Sequence, residues 1–225
     1  MQVLRYGGGR RPVPPRPSAL PMIAAAVAVA VTLDVLAGGP LRHLDQWVFS
    51  GGLPRRDGAW HWIWRTVVNG GQHWLAASAV AVAALAAAWR RGAGPWTAVR
   101  AGAWLVVTEA VIRGAQLAFA RTPPRTGHDV LFESGYLSYP SGHAANAAAC
   151  LLLVAALCGA SRGWTIAAHA LAAVVAVAVV TLGYHWPTDA LAGWALGVLL
   201  GCAGRALVPR RAGTRPERSE MYAVS

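Results

Sequence analysis

Three residues in this 225-residue chain have the types and spacing for acid–base or nucleophilic chemistry: His143, His185 and Asp189. His185 and Asp189 stand four apart, with Pro187 between them, a residue tolerated in a first helical turn. A carboxylate one turn from a histidine can accept its Nδ1–H. That bond fixes the tautomer and leaves Nε2 as a nucleophile or base. The same spacing also suits a capping Asp beside an interfacial His. His143 closes the run Pro140-Ser141-Gly142-His143 ahead of a long apolar stretch. Ser141 is a fitting N-cap, and Gly142 lets a ligand approach the backbone closely. Free N–H groups at a helix start bind phosphate, and His143 there can protonate a leaving oxygen. Alone, this run reads equally as an ordinary capped helix start. Two histidines, an aspartate and a helix start converging on one face are harder to read that way.

The elements that must position these residues are helices in a membrane. Hydrophobic residues make up 56% of the chain and charged residues 13%, half of the roughly 25% usual in soluble domains. Mean hydropathy is +0.41. These values exclude a disordered chain, a coiled coil and an ordinary water-soluble enzyme. Apolar runs lie at about 20–38, 72–89, 98–118, 143–160, 164–183 and 188–206, lengths that suit a ~30 Å hydrocarbon core. The expected fold is therefore all-α, an integral membrane bundle of six spans over 20–206. Basic tails at 1–19 and 207–225 flank it. A basic stretch precedes the first run, as in a signal peptide; Asp34 interrupts that run, and it is read as an uncleaved span. The Trp-rich segment 39–71 is expected to lie on the membrane as an interfacial helix or loop.

The net charge of +11 comes from arginine alone. The arginines sit between apolar runs and at the chain ends, not on one basic helix, which argues against a nucleic-acid partner. Thirteen fall in the N-terminal tail, the 90–100 and 161–163 turns and the C-terminal tail. Six fall on the opposite face: Arg42, Arg55, Arg56, Arg65, Arg121 and Arg125. The positive-inside rule then puts both termini in the cytoplasm and the histidines outside. Cys150, Cys158 and Cys202 all lie in apolar runs and make neither a disulfide framework nor a metal motif. No cofactor or metal is expected.

Tyr-Pro-Ser-Gly-His-Ala-Ala-Asn-Ala at 139–147, followed by Gly-Tyr-His-Trp-Pro-Thr-Asp-Ala-Leu-Ala-Gly at 183–193, resembles the type 2 phosphatidic acid phosphatase family. That family shares its fold with the vanadium haloperoxidases. The resemblance covers about residues 70–205. It implies a phosphatase needing no metal, acting on a lipid phosphate or polyprenyl (di)phosphate at the outer interface. It further implies that His185 attacks phosphorus, that Asp189 orients it and stabilises its charge, and that His143 protonates the leaving alkoxide. The chain departs from the family where phosphate is gripped. Ala178 and Val179 stand where the third motif has Ser-Arg. Gln116 or Arg113 stands where the first motif has lysine, according to the register chosen. Arg121, Arg125, Ser141 and Gly142 are the expected phosphate ligands, since a guanidinium fork suits phosphate. His128 is a further candidate.

Glu109 and Arg113, four apart inside a span, are read either as a structural pair facing the bundle or, with Gln116, as headgroup contacts. Expected partners are the lipid phosphate and membrane lipids. The competing class is a non-catalytic relative that kept the fold and binds a lipid phosphate or a partner protein. A haloperoxidase and a small transporter are weaker alternatives.

Overall fold

The computed structural model describes residues 19–90 and 94–207. The expected basic tails fall almost entirely outside these residues. Apolar side chains that leave water, on a backbone that must satisfy its own polar groups, favour helix throughout. The described residues form eight helices: α1 (Leu20–Ala37), α2 (Pro40–Val48), α3 (Gly58–Asn69), α4 (His73–Arg90), α5 (Pro95–Phe119), α6 (Gly142–Leu157), α7 (Arg162–Thr181) and α8 (Pro187–Leu207). A 3₁₀ turn spans Pro124–Thr126. Among the described residues no strand occurs. Pro40, Pro95 and Pro187 each open a helix, where a missing N–H costs nothing.

The six expected spans correspond to α1, α4, α5, α6, α7 and α8. Five of them are long and apolar enough to cross a membrane. The fourth expected run, 143–160, is shorter as a helix. α6 has 16 residues, about 24 Å of rise. It stops because Gly159 turns left-handed (φ 58°) and Ala160 N–H folds back to the Ala155 carbonyl, 2.8 Å. α6 is also the centre of the bundle, packed by α4, α7 and α8, with ten of its residues buried.

Small residues bring α8 against α6. Gly193, Gly197 and Gly201 recur every four residues on one face. A Cβ on Gly193 would stand 2.3 Å from the Ser141 carbonyl, and one on Gly197 would stand 2.3 Å from the Ala145 carbonyl. The alanines of α6 complete this contact. α1 packs on α8, and α5 on α4.

The 39–71 segment is two helices, not one. α2 lies after a left-handed turn at Gly38 (φ 66°), and the Asp34 carboxylate caps it by accepting Arg42 N–H at 2.9 Å and Leu41 N–H at 3.2 Å. α3 lies along α7, where Val68 and Trp64 pack on Ala178, Val179 and Leu182.

Candidate active site

The N-terminal ends of α4, α6 and α8 and the C-terminal end of α5 meet at one end of the bundle. A cavity of about 560 Å³ opens there. Its lining includes His143, His185, Gly142, Arg113, Gln116 and Arg125, together with Arg65, His73, Glu109 and Tyr184. The two expected histidines face each other across it, ring centroids 6.2 Å apart. His143 sits in the first turn of α6, whose N-cap is Ser141. The cap is loose, Ala144 N–H to Ser141 Oγ at 3.5 Å. Gly71, before α4, lies against the same turn; a Cβ there would stand 2.5 Å from the His143 carbonyl oxygen.

His185 is placed by the turn between α7 and α8. Gly183 takes φ 66°, and the N–H groups of Tyr184 and His185 both return to the Val179 carbonyl, at 2.9 and 3.3 Å. The ring nitrogen Nδ1 lies 2.9 Å from the Ser138 carbonyl oxygen. A carbonyl only accepts, so Nδ1 carries the hydrogen and Nε2 carries the lone pair. The bond therefore fixes the tautomer expected from the sequence, through a different partner. Asp189 Oδ2 stands 3.7 Å from Nδ1, beyond hydrogen-bond length. Ser138 fills the gap: its hydroxyl donates to Asp189 Oδ2 at 2.5 Å and lies 3.3 Å from His185 Nδ1. Asp189 Oδ2 also accepts Trp186 N–H at 3.1 Å, closing the first turn of α8.

Arg121 is not on the cavity. Its side chain is fully buried behind Asp189, among three carboxylates. Nε donates to Asp129 Oδ1 at 2.8 Å, and Nη2 donates to Asp129 Oδ2 at 2.9 Å and Asp45 Oδ2 at 2.8 Å. Nη1 donates to Asp189 Oδ1 and Thr188 Oγ1, both at 2.7 Å. All five guanidinium N–H groups are thus engaged, and none is left for a phosphate. The sequence expectation for Arg121 is corrected on this ground. Arg42 adds a second cation, Nε to Asp129 Oδ2 at 2.7 Å. Burial pushes the Asp129 carboxyl up, but hydrogen bonds and charge from Arg121 and Arg42 outweigh it and hold it below the usual carboxylate range. Asp45 lies the other way: burial raises it, despite Thr188 and Arg121.

The other expected ligands divide. Arg125 and Gly142 line the cavity, and Arg125 is exposed. Ser141 is buried as the cap of α6 and is not part of the lining. Gln116 is committed to structure: Nε2 donates to the Pro140 carbonyl at 3.1 Å, and Oε1 accepts Arg113 Nη1–H at 3.2 Å. Arg113 is paired with Glu109 at 2.9 Å, and Glu109 also meets His73 Nδ1 at 3.0 Å. His128 pairs with Glu133 at 3.5 Å and is not part of the lining. Ala178 and Val179 are fully buried in the apolar contact with α3.

Sequence reasoning missed Asp45, Asp129, Ser138 and Arg65. Asp45 and Asp129 are two of only nine acidic residues in the chain, and that scarcity in an apolar protein was the available signal. Among the described residues, no group of three or more His, Cys, Asp or Glu is arranged to hold a metal ion.

The model of the PAP2 superfamily matches residues 74–212, more than half of the chain, and the chain belongs to that superfamily. It is 37% identical over 68 residues to the lipid A 1-phosphatase of Porphyromonas gingivalis. That match covers 30% of this chain and 15% of the relative. The fold is similar to the crystal structure of a transmembrane PAP2-type phosphatidylglycerolphosphate phosphatase from Bacillus subtilis, with a TM-score of 0.61 and 18% identity. The alignment covers 88% of this chain and all of that one. The apolar helices and this fold make the chain an integral membrane protein.

Proposed function

We propose that this protein is a lipid phosphate phosphatase that works through a phosphorylated His185. The observation that carries the reading is the Ser138 carbonyl bond to His185 Nδ1, which leaves Nε2 as the lone-pair nitrogen of a ring on the cavity, opposite His143. In the first half-reaction, Nε2 attacks phosphorus and a P–N bond forms. The P–O bond to the lipid breaks, and the leaving alkoxide takes a proton from His143. In the second, water attacks phosphorus, the P–N bond breaks, and His143 takes back a proton. From a monophosphate the products are the lipid alcohol and inorganic phosphate; from a diphosphate the P–O–P bridge breaks instead, the lipid monophosphate is the leaving group, and the products are that monophosphate and inorganic phosphate.

The charge of the transferring phosphoryl group needs fixed positive donors. Arg125 and Arg65 are the cavity arginines without a carboxylate partner among the described contacts, and we assign them this role together with the Gly142 backbone. Arg65 reaches the cavity from α3, the helix that covers Ala178 and Val179. A cation from α3 thereby stands in for one that α7 lacks.

The named activities of the relatives support a lipid phosphate as substrate; a polyprenyl (di)phosphate presents the same chemistry, a phosphate head on a tail held in lipid. The arginine asymmetry supports cytoplasmic termini and a site at the outer membrane–water interface, where a polar head meets the cavity and its tail stays in lipid.

The second reading is a non-catalytic lipid-phosphate binder, favoured by the apolar burial of positions 178–179. One assay separates the two. Purified wild type and His185→Ala are tested in detergent with excess chelator, on phosphatidic acid, phosphatidylglycerol phosphate and undecaprenyl diphosphate. Phosphate release by the wild type and not by the variant is expected; no release above the variant on any lipid favours the binder.

A further inference from the structure

We infer that Asp45, carried by the short surface helix α2, is a positioning residue for the His185–Asp189 pair. It acts through Arg121 and Thr188. The inference rests on His185 being the nucleophile.

Asp45 is far from the motifs in sequence and fully buried in the fold. Its two carboxylate oxygens do two things at once. Oδ1 accepts the backbone N–H of Thr188 at 2.9 Å, satisfying one of the orphan donors in the first turn of α8. Oδ2 accepts from the Thr188 hydroxyl and from Arg121 Nη2. Thr188 Oγ1 in turn accepts from Arg121 Nη1, the same nitrogen that donates to Asp189 Oδ1. Asp45 therefore fixes the start of α8 from outside that helix, and aims the guanidinium that holds Asp189. Asp189 holds Ser138, whose carbonyl holds His185. Each link is a charge-assisted or fully buried hydrogen bond, short and directional.

The consequence is geometric. In-line attack needs Nε2 within a fraction of an ångström of its productive position, and a misplacement near 1 Å costs on the order of 100-fold. Anion capture by the cavity arginines has no such demand. Removing Asp45 should therefore weaken what depends on the His185 bond, and spare what depends on charge alone.

Orthovanadate and inorganic phosphate separate the two. Vanadate takes a histidine nitrogen as its fifth ligand and mimics the transition state; phosphate binds as a ground-state anion. Affinities for both are measured in detergent by tryptophan fluorescence for wild type, Asp45→Asn, Thr188→Val, Thr188→Ser and His185→Ala. Elution volume and thermal midpoint establish folding of each. Asp45→Asn and Thr188→Val should weaken vanadate by about tenfold or more, with phosphate within about twofold. Thr188→Ser, which keeps the hydroxyl, should recover most of the vanadate affinity lost in Thr188→Val. The inference is overturned if either folded variant binds vanadate like the wild type, or if vanadate and phosphate weaken together. Vanadate binding that survives in His185→Ala defeats the nucleophile assignment itself, and this inference with it. A His185-dependent vanadate site indifferent to Asp45 and Thr188 defeats only the inference.

Discussion

Ser138 holds both the ring of His185 and the carboxylate of Asp189, with different atoms. Its carbonyl is backbone and survives any substitution, whereas its hydroxyl does not. Ser138→Ala should therefore keep the tautomer but leave Asp189 Oδ2 with the Trp186 N–H alone, lowering kcat by about tenfold with little change in KM, measured by steady-state phosphate release. Asp129 gives a prediction in pH. Its folded pKa is held below the ordinary 3.8, so its stabilisation is complete above that value and is lost as pH falls through the folded value. The thermal midpoint of the wild type should drop as pH is lowered from about 5 to about 3, and Asp129→Asn should start lower and fall less steeply. Removing the cation instead, with Arg121→Met, should cost about 3–5 kcal/mol by leaving Asp45 and Asp189 buried without a counter-charge. At this scale His143, His185 and Asp189 could be read from the sequence, because a histidine–carboxylate spacing and a helix start are local. Arg121 could not be placed. An arginine separated by one residue from a proline pair has the same local pattern whether it grips a substrate or fills a cage built from residues 45, 129 and 189.

Helices α6 and α8 touch through glycine, and the substitution that tests this contact is small. Gly197→Ala puts a Cβ 2.3 Å from a carbonyl on α6, and the helices must part. A loss of about 1–3 kcal/mol is expected, visible as a lower midpoint in detergent. A midpoint equal to the wild type would mean that the close approach is not stabilising. The helices themselves were readable from runs of apolar residues, because the bilayer sets a length and excludes alternatives to helix. The end of α6 was not, since the apolar run continues past Gly159 and only the left-handed turn there stops the helix. The segment 39–71 was readable as distinct from the spans but not as two helices. α2 bears exposed Leu44 and Trp47 on one side and buried Asp45 on the other. Nothing local says that this aspartate belongs to a network made by the loop after α5 and the start of α8.

The whole molecule presents a polar cavity at one end of an apolar bundle, and the orientation we propose for it in the membrane rests on arginine counting. Single cysteines placed at His128, on the cavity end, and at Gly163, on the far end, test that orientation in a background lacking the native thiols. A membrane-impermeant maleimide should label the first in intact bacterial cells and the second only after permeabilisation. The reverse pattern would turn the site inward. The membership in the PAP2 superfamily was readable from two motifs. Arg125 was expected beside the phosphate and does line the cavity, whereas Arg65 was not expected, because only folding brings α3 to the histidines. The central claim is that His185 carries the phosphoryl group. The most direct measurement is to incubate the protein with ³²P-labelled phosphatidic acid and the two other labelled lipids, quench in alkali, and look for label on the chain. We predict an alkali-stable, acid-labile adduct on wild type that is absent from His185→Ala. Lipid hydrolysis by the wild type without such an adduct, or with an adduct that persists in His185→Ala, would contradict the account.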